Sequence, residues 1–165
     1  MVTTMAMRRS QSGFTAAEII VVVSIIGILA AIAIPSMSRM LATQAVRAAA
    51  YDLNADLTYA RSEAIARGMN ISLKAASGTD YKKGWTIEDG AATVLRTQDA
   101  RGADIVFVGS AGTYTFDKTG RVTVGAPASW GIYPKGSSVQ DYQKRCLRLD
   151  PSGRMRSVEG DTCGY

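Results

Sequence analysis

Nineteen consecutive residues, Ala16 to Ile34, carry a single charged side chain, Glu18, and no other feature restricts the chain so strongly. As a helix rising 1.5 Å per residue the run spans roughly 28 Å, the thickness of a bilayer's hydrocarbon core. Arg8 and Arg9 precede it with no acid nearby. The positive-inside rule therefore keeps the N-terminus on the cytoplasmic side and sends the rest of the chain across. Ala31-Ile32-Ala33 imitates the cleavage site of a secretory signal, but the apolar run exceeds the usual 7–15 residues of such a signal. Glu18 argues the same way, because a carboxylate in hydrocarbon is costly and marks a partner or a function.

Helical signals continue beyond Pro35. Val46, Ala50, Leu53, Leu57, Ala60 and Ala64 recur with a mean spacing of 3.6 residues, the period of a helix with one buried stripe. Glu63 and Arg67 stand i,i+4, and Gly68 suits a left-handed helix end. One nearly continuous helix over about 15–67 is expected, with Pro35 as its kink or melting point.

After Gly68 short β-branched and aromatic runs alternate with Gly and Asp. Asn70–Ala75, Trp85–Glu88, Thr93–Thr97, Ile105–Val108, Tyr114–Asp117 and Arg121–Val124 read as strands of an antiparallel sheet or sandwich packed on the helix stripe. Gly125–Gln140, rich in Gly, Pro and Ser, reads as a surface loop. Trp85 and Phe116 read as core residues.

The chain has 165 residues and no His, so the commonest general base and metal ligand is missing. No phosphate loop or nucleophile elbow is present and the acids do not cluster, so neither an enzyme nor a cofactor is expected. Cys146 and Cys163 are too few and wrongly spaced for zinc and read as a disulfide in an oxidising compartment. The formal charge is +5, or +3 without Arg8 and Arg9, so only local clustering can argue for a polyanion partner.

Gly13-Phe14-Thr15-Ala16-Ala17-Glu18 followed by the apolar run resembles the N-terminal signature of type IV pilins and type II secretion pseudopilins. The resemblance implies cleavage after Gly13 by a prepilin peptidase, N-methylation of Phe14, and a Glu18 that neutralises the α-amine of a neighbouring subunit during assembly. Ala16-Ala17 departs from the large aliphatics common there. Lys83-Gly84-Trp85-Thr86-Ile87, Val94-Leu95-Arg96 and Phe116-Asp117-Lys118-Thr119-Gly120-Arg121 are similar to the GspH/FimT branch of minor pilins and pseudopilins. The implied architecture is α+β and pilin-like, a long N-terminal helix packed on an antiparallel β-rich C-terminal domain. Its parts are a leader over 1–13, the helix over 14–67 with a transmembrane segment at about 16–34, and a globular domain over 68–165. The implied partners are other pilins, the prepilin peptidase and the inner-membrane assembly platform. The implied location is the inner membrane with a periplasmic C-terminal domain, then a pilus or pseudopilus.

Lys144 to Arg156 contains five basic residues and one acid, Asp150. Leu147 and Leu149 alternate with Arg148, and Met155 separates Arg154 from Arg156, giving two strands joined around Pro151-Ser152-Gly153. A three-residue loop with Gly153 left-handed sets Leu149 against Met155 and Arg148 against Arg156. The leucines and Met155 then face inward, and Arg148, Arg154 and Arg156 share an outer face with Lys144 and Arg145 nearby. Two arginines directly opposed repel, and a polyanion would relieve them. Gly153-Arg154-Met155-Arg156 resembles an element of DNA-capturing FimT-like pilins. Two readings stay open: a minor pilin that binds double-stranded DNA for uptake, and a structural minor pilin or secretion pseudopilin whose basic face meets solvent or an acidic neighbour.

Overall fold

A computed structural model describes residues 14–102, 104–109, 111–136, 139–160 and 163. Residues 1–13, read from the sequence as a leader ending at Gly13, lie outside the described residues. Helix α1 (Ala16–Arg67) is unbroken through Pro35. Pro35 supplies no amide to the ladder, and the Ser38 hydroxyl donates to the Pro35 carbonyl at 3.0 Å. At its start Thr15 and Glu18 form a capping box: the Thr15 amide and hydroxyl donate to Glu18 Oε2 at 2.8 and 2.9 Å, and the Glu18 amide donates to Thr15 Oγ1 at 3.3 Å. Gly68 follows the helix with φ +63°, and Arg67 Nε meets Glu63 Oε2 at 2.5 Å, both as the sequence implies.

The chain divides into two compact units, residues 1–38 and 39–165. Within the first, the described residues from Ala16 onward are helix, and Ile19, Ile20, Val21, Leu29, Ile32 and Ile34 are exposed. An unaccompanied apolar surface of this length suits lipid or other helices.

Within the second unit the helix buries the stripe Val46, Ala50, Leu53, Leu57, Ala60 and Ala64, together with Ala49 and Asp56. Nine strands among the described residues make two antiparallel sheets. The first, in spatial order β3-β2-β1-β5-β6, is built from β1 (Ile71–Ala75), β2 (Trp85–Asp89), β3 (Val94–Gln98), β5 (Thr113–Phe116) and β6 (Val122–Val124). The second, in order β4-β7-β8-β9, is built from β4 (Ile105–Gly109), β7 (Ala128–Pro134), β8 (Arg145–Leu149) and β9 (Met155–Glu159). Aromatic pairs join the sheets: Tyr114 to Trp130 with centroids 4.6 Å apart, and Trp85 to Phe107 at 6.3 Å.

Strand β7 corrects the sequence reading of Gly125–Gln140 as a loop. Ala128, Trp130, Ile132 and Pro134 are buried in strict alternation, and β7 lies between β4 and β8, with Phe107 opposite Ile132 and Trp130 opposite Leu147. Gly131 and Pro134 disguise the strand as loop composition, while its pairing comes from residues distant in sequence. Trp85 and Phe116 are fully buried. The Trp85 indole donates to Asp56 Oδ2 at 2.8 Å, and Arg96 Nη1 meets Asp56 Oδ1 at 2.6 Å, so both carboxylate oxygens of this buried acid are used.

Candidate nucleic-acid interface

The β8–β9 hairpin has the register that its alternation requires. Leu149 lies opposite Met155, Arg148 opposite Arg156, Leu147 opposite Ser157 and Arg145 opposite Glu159. The turn closes through the Gly153 amide to the Asp150 carbonyl at 2.8 Å and the Asp150 amide to the Arg154 carbonyl at 3.0 Å. Gly153 has φ +77°, the left-handed bulge position of a three-residue hairpin loop. Leu147 and Leu149 are buried and Met155 packs on the core. Arg148, Arg154 and Arg156 are exposed.

These three arginines share one face with Asp150, and among the described residues no ion pair reaches any of the three. Arg148 and Arg156 are cross-strand partners, an arrangement that disfavours the free hairpin. Planar guanidinium groups donating in pairs suit phosphate oxygens. The structure sets Lys144 and Arg145 apart from this group. Arg145 shares the parity of Leu147 and Leu149, and its Nη1 meets Glu159 Oε2 at 2.9 Å with the side chain mostly covered. Lys144 Nζ meets Asp141 Oδ1 at 3.1 Å. Both cations thus have an acid partner of their own.

Cys146 and Cys163 are joined in a disulfide with Cα atoms 5.4 Å apart. Cys146 is on the arginine face of β8 but is buried, so the bridge ties the chain segment after β9 back onto the hairpin. At the other end of α1, Phe14 is exposed, and Glu18 is engaged by Thr15 within its own chain.

Sequence reading missed three contacts. The Thr15–Glu18 cap was visible as a Thr-x-x-Glu spacing. Asp56 falls between Leu53 and Leu57 on the buried stripe, a position where an acid requires partners. The third had no local signal: the β5–β6 turn abuts the hairpin turn, with the Val122 amide donating to the Pro151 carbonyl at 3.0 Å. Arg61 Nε donates to the Gly120 carbonyl at 3.1 Å and fastens the same place to α1.

The family model described as Type II transport protein GspH matches residues 49–153. Arg154 and Arg156 lie just beyond that match. The type IV minor pilin FimU of Pseudomonas aeruginosa is 27% identical, with a TM-score of 0.62 over 73% of this chain and 95% of that chain. The minor pseudopilin EpsH of the Vibrio cholerae Type 2 Secretion System shares the fold at 16% identity, with a TM-score of 0.52 over 69% of this chain and 96% of that chain. With residues 49–153 of its 165 matched, the chain belongs to the GspH family of minor pilins and pseudopilins.

Proposed function

We propose that the chain is a minor pilin of a type IV pilus that binds double-stranded DNA on the Arg148–Arg154–Arg156 face of its C-terminal hairpin. In this reading a prepilin peptidase removes residues 1–13, and residues 16–34 hold the subunit in the inner membrane with its β-rich unit in the periplasm. Assembly with other pilins at an inner-membrane platform follows, Glu18 neutralising a neighbour's α-amine. The likeness to FimU, a type IV minor pilin, supports a pilus over a secretion pseudopilus. The observation that carries DNA binding is Arg148 directly opposite Arg156, both exposed, beside an exposed Arg154. Lys144 and Arg145, already paired with acids, contribute at most long-range attraction.

The test is titration of the full chain, in non-ionic detergent, with random-sequence duplex DNA across a salt series. Three phosphate contacts give a slope of log K against log salt of about −2.7, roughly −0.9 for each contact. Replacing Arg154→Gln and Arg156→Gln together flattens it by about 1.8 with the thermal midpoint nearly unchanged. Lys83→Gln with Lys135→Gln, two exposed lysines at the strand ends away from the hairpin turn, is the control for generic charge. Equal losses from both pairs, or no binding by the unmodified chain at low salt, leave a structural minor pilin or a secretion pseudopilin.

A further inference from the structure

The hairpin turn is not an isolated projection. A Cβ built on Gly153 would lie 2.2 Å from the Gly120 carbonyl oxygen, so the two turns touch backbone to backbone. The Val122 amide bonds the Pro151 carbonyl, and Arg61 Nε holds the Gly120 carbonyl. The residue after Gly120 is Arg121 and the residue after Gly153 is Arg154, so the contact brings the main chain of two arginines, each leading into a strand of a different sheet, close together. Both are exposed, as is Lys118 at the tip of the β5–β6 turn.

We infer that Lys118 and Arg121 belong to the same phosphate-binding surface as Arg148, Arg154 and Arg156, and that a bound duplex crosses the junction between the two sheets. The inference rests on the DNA-binding reading above and enlarges its footprint from one hairpin to two turns. Five cations then face two acids, Asp117 and Asp150. Asp117 is turned to local use: its Oδ1 accepts from the Thr119 amide and hydroxyl at 2.8 and 2.6 Å and from the Arg121 amide at 3.1 Å. That bond to Arg121 uses the main chain; the Arg121 guanidinium acts on Asp117 only through space, with no ion pair between the two among the described residues. At the opposite end of the same sheet the exposed Lys83 instead donates from Nζ to the Ser77 hydroxyl at 3.5 Å. Charge complementarity therefore favours a long, regularly spaced polyanion on the two-turn surface, as a duplex backbone supplies.

The experiment is the same salt series on the full chain carrying Lys118→Gln and Arg121→Gln. With five contacts the unmodified slope becomes about −4.5 in place of −2.7, and the expected result is a slope shallower by about 1.8, additive with the loss from Arg154→Gln and Arg156→Gln to about 3.6. Its thermal midpoint should match the unmodified chain, because the Asp117 bonds to main-chain amides survive the change. A Lys118/Arg121 variant that retains the unmodified slope, while the hairpin variant loses its share, overturns the composite surface and leaves the hairpin reading intact. A loss no larger than that of the Lys83/Lys135 control overturns it equally. Absence of binding by the unmodified chain removes the DNA reading itself, and this extension with it.

Discussion

Gly153 packs directly on Gly120: it is left-handed at φ +77°, and an added Cβ would stand 2.2 Å from the Gly120 carbonyl oxygen. Two requirements therefore coincide at one position. Left-handed backbone costs a side-chain-bearing residue about 1–2 kcal/mol, and overlap with a rigid carbonyl adds about 1–3 kcal/mol. Gly153→Ala should lower unfolding free energy by roughly 2–5 kcal/mol in urea titrations followed by tryptophan fluorescence. Gly68→Ala meets no atom within 4 Å at φ +63° and should cost only about 1 kcal/mol. Equal effects from the two would show that the turn-to-turn contact contributes nothing.

Asp56 is a second point where one side chain ties elements together. Its carboxylate links α1 to the Trp85 indole of β2 and to Arg96 of β3, whose guanidinium also lies 4.9 Å from the Tyr59 ring centroid. Asp56→Ala leaves a buried indole N–H without an acceptor and should cost about 2–4 kcal/mol. Arg96→Gln removes a half-exposed cation and should cost about 1 kcal/mol or less. A urea midpoint for Asp56→Ala no lower than that for Arg96→Gln would contradict this assignment.

Acid should loosen the β5–β6 turn. The Thr119 hydroxyl, helped by the amides of Arg121 and Thr119 and by the Arg121 charge, holds the Asp117 carboxyl below the usual carboxylate range despite some desolvation. A depressed folded-state pKa means that the stabilisation is fully present above the ordinary carboxylate value and is lost as pH falls through the lowered one. Thermal midpoints of the unmodified chain should therefore fall more steeply in that acidic window than those of Asp117→Asn. Parallel acid profiles would rule out the linkage.

The mature chain is expected to begin at Phe14, and intact-mass spectrometry of membrane-extracted protein reads this directly; a chain beginning at Ile34 would sink the pilin reading. Glu18 both caps α1 through Thr15 and is proposed to neutralise a neighbour's amine. Glu18→Gln keeps an oxygen for the Thr15 amide but loses the charge, so it separates the two roles. Both Glu18→Gln and Glu18→Ala should reduce recovery in sheared filament fractions, with the thermal midpoint of the β-rich unit unchanged. Normal recovery of Glu18→Gln would assign Glu18 to capping alone.

Helix and hairpin were both legible in the sequence because each is written as a short period. The 3.6-residue recurrence from Val46 to Ala64 named the buried stripe, and the alternation of Leu147, Arg148 and Leu149 around Pro151-Ser152-Gly153 named the register. The same parity would have placed Arg145 on the inward face, where it meets Glu159; proximity in sequence to Arg148 concealed this. Strand β7 was not legible, because Gly131 and Pro134 are poor strand formers whose conformation is imposed by β4 and β8 on either side.

Near neighbours along the chain therefore sufficed for a span-length apolar helix start, its continuation to Arg67, six of the strands, and a hairpin with three arginines outward. Which distant pieces meet was settled by the packed fold. Trp130 finds Tyr114 across two sheets, Asp56 finds Trp85 and Arg96, and Gly120 meets Gly153 with Arg121 and Arg154 following. Local periodicity fixes the face a side chain presents, whereas the partner on that face is chosen by the summed packing of both sheets against the helix, which no window of adjacent residues contains.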